Sequence, residues 1–242
     1  MRKFRFVDQI VWEDEDLLLL NKPAGLASLD ERDEDKDSIL AFAKKHHSEL
    51  QLCHRLDKDT SGCLLIAKNP VAYRHIALQF ERRTVEKKYH ALVKGVFSLE
   101  DQLINLPLTT TRSNRSQVNT LKGKDSQTVV STLELFSHYT LLEARPITGR
   151  LHQIRAHLAA MQMPIVQDHS YGGSSVYLSS LKKNFSLGKG AVERPMIQRM
   201  ALHAHSLSFK NVKGQVVQCE AEYPKDFNVL IKQLRKFDQR LA

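Results

Sequence analysis

Short apolar runs, bounded by Pro, Gly and Asn, recur along this chain without alternating regularly with helical patterns. A doubly wound parallel sheet needs that alternation, so this arrangement predicts an α+β fold instead, a central, mainly antiparallel mixed sheet flanked by helices and loops. Residues 10–20 read as a hairpin turning at Glu13-Asp14-Glu15-Asp16 and stopping at Asn21-Lys22-Pro23-Ala24-Gly25. Residues 63–68 suit a buried strand, and 87–95, 128–135, 139–144, 202–209 and 216–221 are further strands, with Gly214 in the last hairpin turn. Helices are predicted over 38–47 with Asp37 or Ser38 as cap, and from Pro70 to about Arg82 with Asn69 as cap. Two more are predicted over 151–161, capped by Thr148, and over 226–240, where Phe227, Leu230, Ile231, Leu234 and Phe237 keep helical spacing. Residues 172–192 carry Gly, Ser and Lys with little periodicity and predict a mobile loop. The acidic stretch 30–37 predicts a solvated one.

A length of 242 residues suits a single domain spanning residues 1–242. No apolar run approaches the ~20 residues that span a bilayer. Met-Arg-Lys-Phe-Arg-Phe is followed by no long apolar stretch, so no signal peptide is expected and a cytoplasmic location is the default. Cys53, Cys63 and Cys219 are odd in number and widely spaced, which argues against a disulfide framework, and without a Cys-x-x-Cys pair a cysteine zinc site is not expected. Charge is unevenly spread. Residues 1–40 hold six Lys/Arg and eleven Asp/Glu, a balance of −5, so with a total of +9 the remainder carries +14. A basic body of that size attracts a polyanion such as RNA or DNA.

Two segments concentrate reactive side chains. His54-Arg55-Leu56-Asp57-Lys58-Asp59-Thr60-Ser61-Gly62 precedes a buried strand and should be a loop projecting from a sheet edge. Read from composition alone, it is equally a polar turn with internal hydrogen bonds. Thr148-Gly149-Arg150-Leu151-His152-Gln153-Ile154-Arg155-Ala156-His157-Leu158 carries an apolar stripe of Leu151, Ile154 and Leu158. Arg155 lies one residue off that stripe, where a guanidinium at the border of core and cleft can grip a carboxylate with two bonds.

Together these segments resemble the RluA-like family of RNA pseudouridine synthases. His54 to Gly62 matches its His-Arg-Leu-Asp-x-x-Thr-Ser-Gly signature at every fixed position. Leu19-Leu20-Asn21-Lys22-Pro23-Ala24-Gly25 is similar to the family's opening segment, Lys88-Tyr89-His90-Ala91-Leu92-Val93-Lys94-Gly95 to its tyrosine strand, and Gly149 to His157 to its arginine helix. Met200-Ala201-Leu202-His203-Ala204-His205-Ser206-Leu207 is similar to its late strand, so the resemblance runs from about residue 10 to residue 224. Only about ten residues precede the start of the resemblance, which implies the form without an N-terminal S4-type RNA-binding domain. Gln162 and Gln167 stand where the family expects glycine, which puts the local turns in question.

The resemblance implies isomerisation of uridine to pseudouridine in tRNA and/or ribosomal RNA, by a monomer, with no cofactor and no metal. Asp57 would be the catalytic carboxylate, either attacking C1′ or removing a C2′ proton. Tyr89 would stack on the flipped uracil, and Arg155 would be the cation that keeps Asp57 ionised in a partly dry pocket. Arg55, His54, Lys22, Thr60 and Arg150 would serve RNA binding and base flipping, Arg55 by filling the vacated space. For Lys22 a structural role is an alternative to phosphate contact. Arg82, Arg83, Lys87, Lys88, Arg112 and Arg115 are candidates for the RNA track. Two rivals are a non-catalytic RNA-binding module of the same fold, and a metal-dependent hydrolase using His54, Asp57, His203 and His205.

Overall fold

The computed structural model describes residues 4–30, 37–188 and 190–239, so most of the acidic loop expected at 30–37 lies outside the described residues. In chain order the elements are β1 (Ile10–Glu13), β2 (Leu17–Lys22), α1 (Ile39–His46), β3 (Gln51–Leu52), β4 (Ser61–Ala67), α2 (Pro70–Glu81), β5 (Glu86–Lys94) and β6 (Gln102–Asn105). They continue with β7 (Leu108–Thr110), β8 (Ser116–Val118), β9 (Gln127–Leu135), β10 (Tyr139–Pro146), α3 (Gln153–Ala160), β11 (Leu202–Lys210), β12 (Val216–Glu220) and α4 (Lys225–Phe237). Helices and mainly antiparallel strands thus mix as an α+β fold. Two compact units form, the first from Met1–Lys88 and His203–Glu222, the second from Tyr89–Leu202 and Tyr223–Ala242. Each combines segments distant in sequence.

In the first unit β4 is central. It pairs antiparallel with β2, from Leu17↔Ala67 to Lys22↔Gly62, and parallel with β11 at His203↔Ser61 and Ala204↔Gly62. β1 extends β2, β12 extends β11, and β3 pairs with the end of β4. Every residue of β4 is buried, as expected of an apolar run without alternation, which suits a strand covered on both faces. Gly62 has φ +112, and a Cβ there would strike the backbone of Ala204, so the signature glycine is what lets β11 come this close. Leu17, Leu19, Leu65, Ile76, Leu207 and Phe209 fill this unit's core, each such burial contributing roughly 1.5–3 kcal/mol. The helix starts follow the sequence. Ser38 accepts the Ala41 amide at 3.0 Å to open α1, and Asn69 accepts the Ala72 amide at 2.8 Å, with Pro70 beside it, to open α2.

In the second unit β5, β10, β9 and β6 run in that order with antiparallel neighbours, and β7 and β8 form a separate hairpin. The helical spacing of α4 is used as read, seating Phe227, Leu230, Ile231 and Leu234 in the core, while α3 contributes Ile154 and Leu158. The cap of α3 differs from expectation. His152, at φ +49 and with no side-chain cap bond, takes the N-cap position. Thr148 is occupied elsewhere: it receives the Gln127 amide at the start of β9 (3.0 Å) and donates to Gln153 Oε1 (2.6 Å). The two glutamines at glycine positions adopt the backbone a glycine would favour, with φ +60 at Gln162 and +65 at Gln167. Within 172–192, Val176 is buried in the core, its carbonyl receives the Met196 amide (2.9 Å), and Leu178–Ser180 forms a 3-10 turn. The sequence reading missed β3, β6, β7 and β8, which run two to four residues, too few for a period of two to emerge.

Candidate active site

Residues 53–60, which hold most of the signature, link β3 to β4 in the first unit, and the signature ends in β4 at Gly62. Leu56 is buried, whereas Arg55 is exposed and Asp57 partly exposed, so the loop is anchored by its apolar residue and presents a charge on either side of it. Ser28 doubles as partner for that anchor: its hydroxyl donates to the Leu56 carbonyl (2.7 Å) and accepts the Leu56 amide (3.0 Å). The Thr60 amide closes the turn on the Asp57 carbonyl at 3.1 Å.

Lys22 holds the other side. Its side chain is 0% exposed, and its ammonium donates to the carbonyls of Pro23 (2.9 Å), Leu26 (2.6 Å) and Lys58 (3.0 Å). The Gly25 amide also donates to Lys58, at 2.9 Å. An ammonium has three protons, and here three carbonyl dipoles meet them. The opening segment Asn-Lys-Pro-Ala-Gly is therefore a brace for the signature loop, one residue beyond Asp57.

His54 is a third pin. Its Nε2 receives the Leu65 amide of β4 at 3.0 Å, which requires that nitrogen to be unprotonated, and its ring lies 5.0 Å from that of Phe80. Burial, with Lys87 nearby, pushes its pKa down to about 3, against which a hydrogen bond to the Arg55 backbone acts. The imidazole is neutral at any working pH.

In the second unit Tyr89 lies in β5 opposite Ala144 and packs, partly buried, against that unit's core. Arg150 donates from Nε to the Asp125 carbonyl at 3.1 Å and remains partly exposed. Arg155 projects from α3 into a fork-to-fork pair with Asp168, Nε to Oδ2 at 2.6 Å and Nη2 to Oδ1 at 2.8 Å. The side chains are 12% and 2% exposed, respectively. The guanidinium carbon also lies 4.8 Å from the centre of the Tyr171 ring, within cation–π range. Asp168 and Tyr171 are functional candidates that the sequence reading passed over. Their signal was present in Asp168-His169-Ser170-Tyr171-Gly172, which follows the arginine helix.

The expected RNA contacts divide accordingly. Arg55 is exposed and Arg150 partly so. Thr60 is buried, and for Lys22 direct contact with RNA gives way to the structural alternative, because a fully buried ammonium meeting three carbonyls has no face for a phosphate. His54, neutral and engaged by Leu65, supplies no positive charge. Arg82, Arg83, Arg112 and Arg115 are exposed, and Lys87 and Lys88 partly buried. Burial and the charge of Arg83 lower the pKa of Lys87 to about 8.

The hydrolase rival loses two of its four ligands to the fold. His203 Nε2 meets the Ala221 carbonyl and Nδ1 the Ser61 hydroxyl, both at 2.9 Å, so the ring joins β4 and β11 to the segment after β12. With His54 Nε2 engaged by the Leu65 amide, His54 and His203 of that set serve the fold. Burial raises the thiol pKa values to about 12 at Cys53 and Cys63 and about 11 at Cys219, leaving them unreactive.

Comparison with known proteins decides the family. The model of the RNA pseudouridylate synthase family matches residues 16–160, a span containing Lys22, His54, Asp57, Tyr89 and Arg155. The chain belongs to the RNA pseudouridylate synthase family. It is 38% identical over 202 residues to ribosomal large subunit pseudouridine synthase C of Vibrio cholerae, an alignment covering 83% of this chain and 60% of that relative's length. It is 32% identical over 238 residues to the Bacillus subtilis protein named uncharacterized RNA pseudouridine synthase YlyB, covering 94% of this chain and 73% of that one. The solved structure of human RNA pseudouridylate synthase domain containing 4 has the same fold, with a TM-score of 0.72 at 23% identity over 95% of this chain and 94% of that one. Among the described residues, no helix is long and apolar enough to cross a membrane.

Proposed function

We propose that this pseudouridylate synthase family member isomerises uridine to pseudouridine in structured RNA, ribosomal and/or transfer RNA, with Asp57 as the catalytic carboxylate. The N1–C1′ bond breaks, the uracil turns, C5 bonds to C1′, and the C5 proton is replaced by one at N1. Substrate and product are isomers, so the balance needs no co-reactant. Tyr89 offers a ring for the flipped base, and base stacking on aromatics is typically worth ~1–3 kcal/mol. Arg55, exposed one step from buried Leu56, is assigned to the space the base vacates, a role its exposure supports. Arg155, gripped through Nε and Nη2 by Asp168, is assigned the role of the cation that keeps the reacting carboxylate ionised. We further propose that the protein works as a monomer in the cytoplasm, drawn to RNA by its basic body.

The observation that carries this reading is the placement of Asp57, partly exposed in a loop whose neighbours on both sides are pinned by Ser28, Lys22 and His54. A carboxylate held this way is pre-organised, and that is how reaction geometry gains rate. The test is Asp57→Asn in a carbodiimide-mapping assay on bulk ribosomal and transfer RNA. The variant should melt like the parent and form no pseudouridine; normal turnover would refute the assignment.

A further inference from the structure

Arg155 stands on a platform that reaches an exposed part of the second unit. The Tyr171 ring lies under the guanidinium. Its hydroxyl receives the backbone amide of Ser116 at 2.8 Å and shares a hydrogen bond with His152 Nδ1 at 3.1 Å. His152 packs edge-on against the same ring, with centroids 5.8 Å apart at 86°. His152 is also the left-handed N-cap of α3, at φ +49, and such a backbone persists in a non-glycine residue only where its surroundings hold it. Ser116 is the first residue of β8. Its hydroxyl donates to the Leu151 carbonyl, and Arg115 Nη1 donates to the Ser170 carbonyl at 3.3 Å. The base of β8 is thereby bonded to residues 151, 170 and 171, around the start of α3. The turn between β7 and β8, which ends at Ser116, exposes Arg112 and Asn114, with Arg115 exposed beside them.

We propose that Tyr171 is a positioning residue for Arg155 that couples it to the basic β7–β8 hairpin, so that an RNA phosphodiester held on the hairpin sets the guanidinium for reaction. Asp168 fixes one edge of the fork, and Tyr171 fixes the plane in which it lies. A displacement of the hairpin moves Ser116, and Tyr171 carries that movement to the guanidinium and to strained His152. Correct RNA would thus complete the site, a gating role that segments of this kind commonly play. The proposal rests on the role assigned above to Arg155.

The test is a mutant cycle on the full chain, measuring single-turnover pseudouridine formation at saturating RNA and RNA affinity by filter binding. Tyr171→Phe keeps the ring and removes both hydroxyl bonds. It should slow the step at least tenfold while affinity changes less than twofold. Arg112→Ala should weaken binding and also slow the step at saturation, and in the double variant it should add no further slowing. Slowing factors that multiply would overturn the coupling, as would a parental rate in Tyr171→Phe. Arg112 is exposed, so Arg112→Ala reports even where a Tyr171 variant folds poorly; if it changes affinity alone, the coupling is wrong. Arg155→Ala separates the two claims. An inactive Arg155→Ala with a normal Tyr171→Phe removes the coupling alone, whereas an active Arg155→Ala removes the role of Arg155 and the coupling with it.

Discussion

The signature loop around Asp57 and the platform under Arg155 are both held tightly, by different physics. In the loop, backbone carbonyls and amides are matched to a buried ammonium, a hydroxyl and a neutral imidazole. On the platform, opposite charges face each other across a two-bonded pair, a ring supports the guanidinium, and the chain of contacts ends on an exposed hairpin. Contacts of the first kind are formed when the chain folds, around a fully buried ammonium and the buried residues Ser28 and Leu56. The second kind leads to an exposed turn. Within one family motif set, then, the loop carrying Asp57 is held by backbone partners, whereas Arg155 is held by side chains whose contacts lead to the hairpin, the route of the coupling proposed above.

Three experiments probe that contrast, beyond those on Asp57 and Tyr171. The largest effect belongs to Lys22→Met. It removes the ammonium and leaves three carbonyls with no donor from it, which should lower unfolding free energy by on the order of 3 kcal/mol or more. Urea denaturation measures this; a loss under ~1 kcal/mol would show that the brace is not what holds the loop.

A second test uses pH. An unfolded histidine titrates near 6.5, and His54 in the fold near 3. Between those values the unfolded chain binds the extra proton, so stability falls as pH drops below about 6.5 and keeps falling towards 3. The slope from this group is at most about 1.4 kcal/mol per pH unit. His54→Gln, whose amide oxygen reaches the position of Nε2, should keep the Leu65 bond and flatten that part of the profile. An unchanged acid limb would place the titration elsewhere. Lys87 acts in the opposite range. Its folded pKa of about 8 lies below the ordinary 10.5, so stability should rise as pH goes from about 8 towards 10.5.

The smallest effect is a gain. Gln162 follows α3 in a left-handed conformation, its amide bonded to the Ala159 carbonyl at 3.0 Å and the Met163 amide to that of Leu158 at 2.8 Å. That is the position where a helix end favours glycine. Gln162→Gly should stabilise by roughly 0.5–1 kcal/mol, seen as a higher melting temperature. Gln167→Gly should not follow it, because the Gln167 side chain bridges the Ile197 carbonyl (2.5 Å) and the Ser175 hydroxyl (2.9 Å), two bonds a glycine gives up. Equal gains at both positions would mean those side-chain bonds contribute nothing.

Local order was readable wherever a short-range rule governs it. Ser38 and Asn69 cap their helices because a side-chain oxygen beside an open amide needs no distant partner, and β4 and α4 were visible in apolar runs and spacing. Thr148 failed the same rule because a residue over twenty positions earlier, Gln127, claimed its hydroxyl. The sequence also determined the family, through an ordered set of motifs, and with it the residues worth testing. Only the tertiary structure decided what several of them do. It turned Lys22 inward to carbonyls at 23, 26 and 58, gave His54 the amide of Leu65, and gave Arg155 the carboxylate of Asp168. The reason is physical: a charged or polar side chain can satisfy itself with water, RNA or protein at similar cost, so its type does not name its partner, and burial, which removes water from that choice, is a property of the assembled fold.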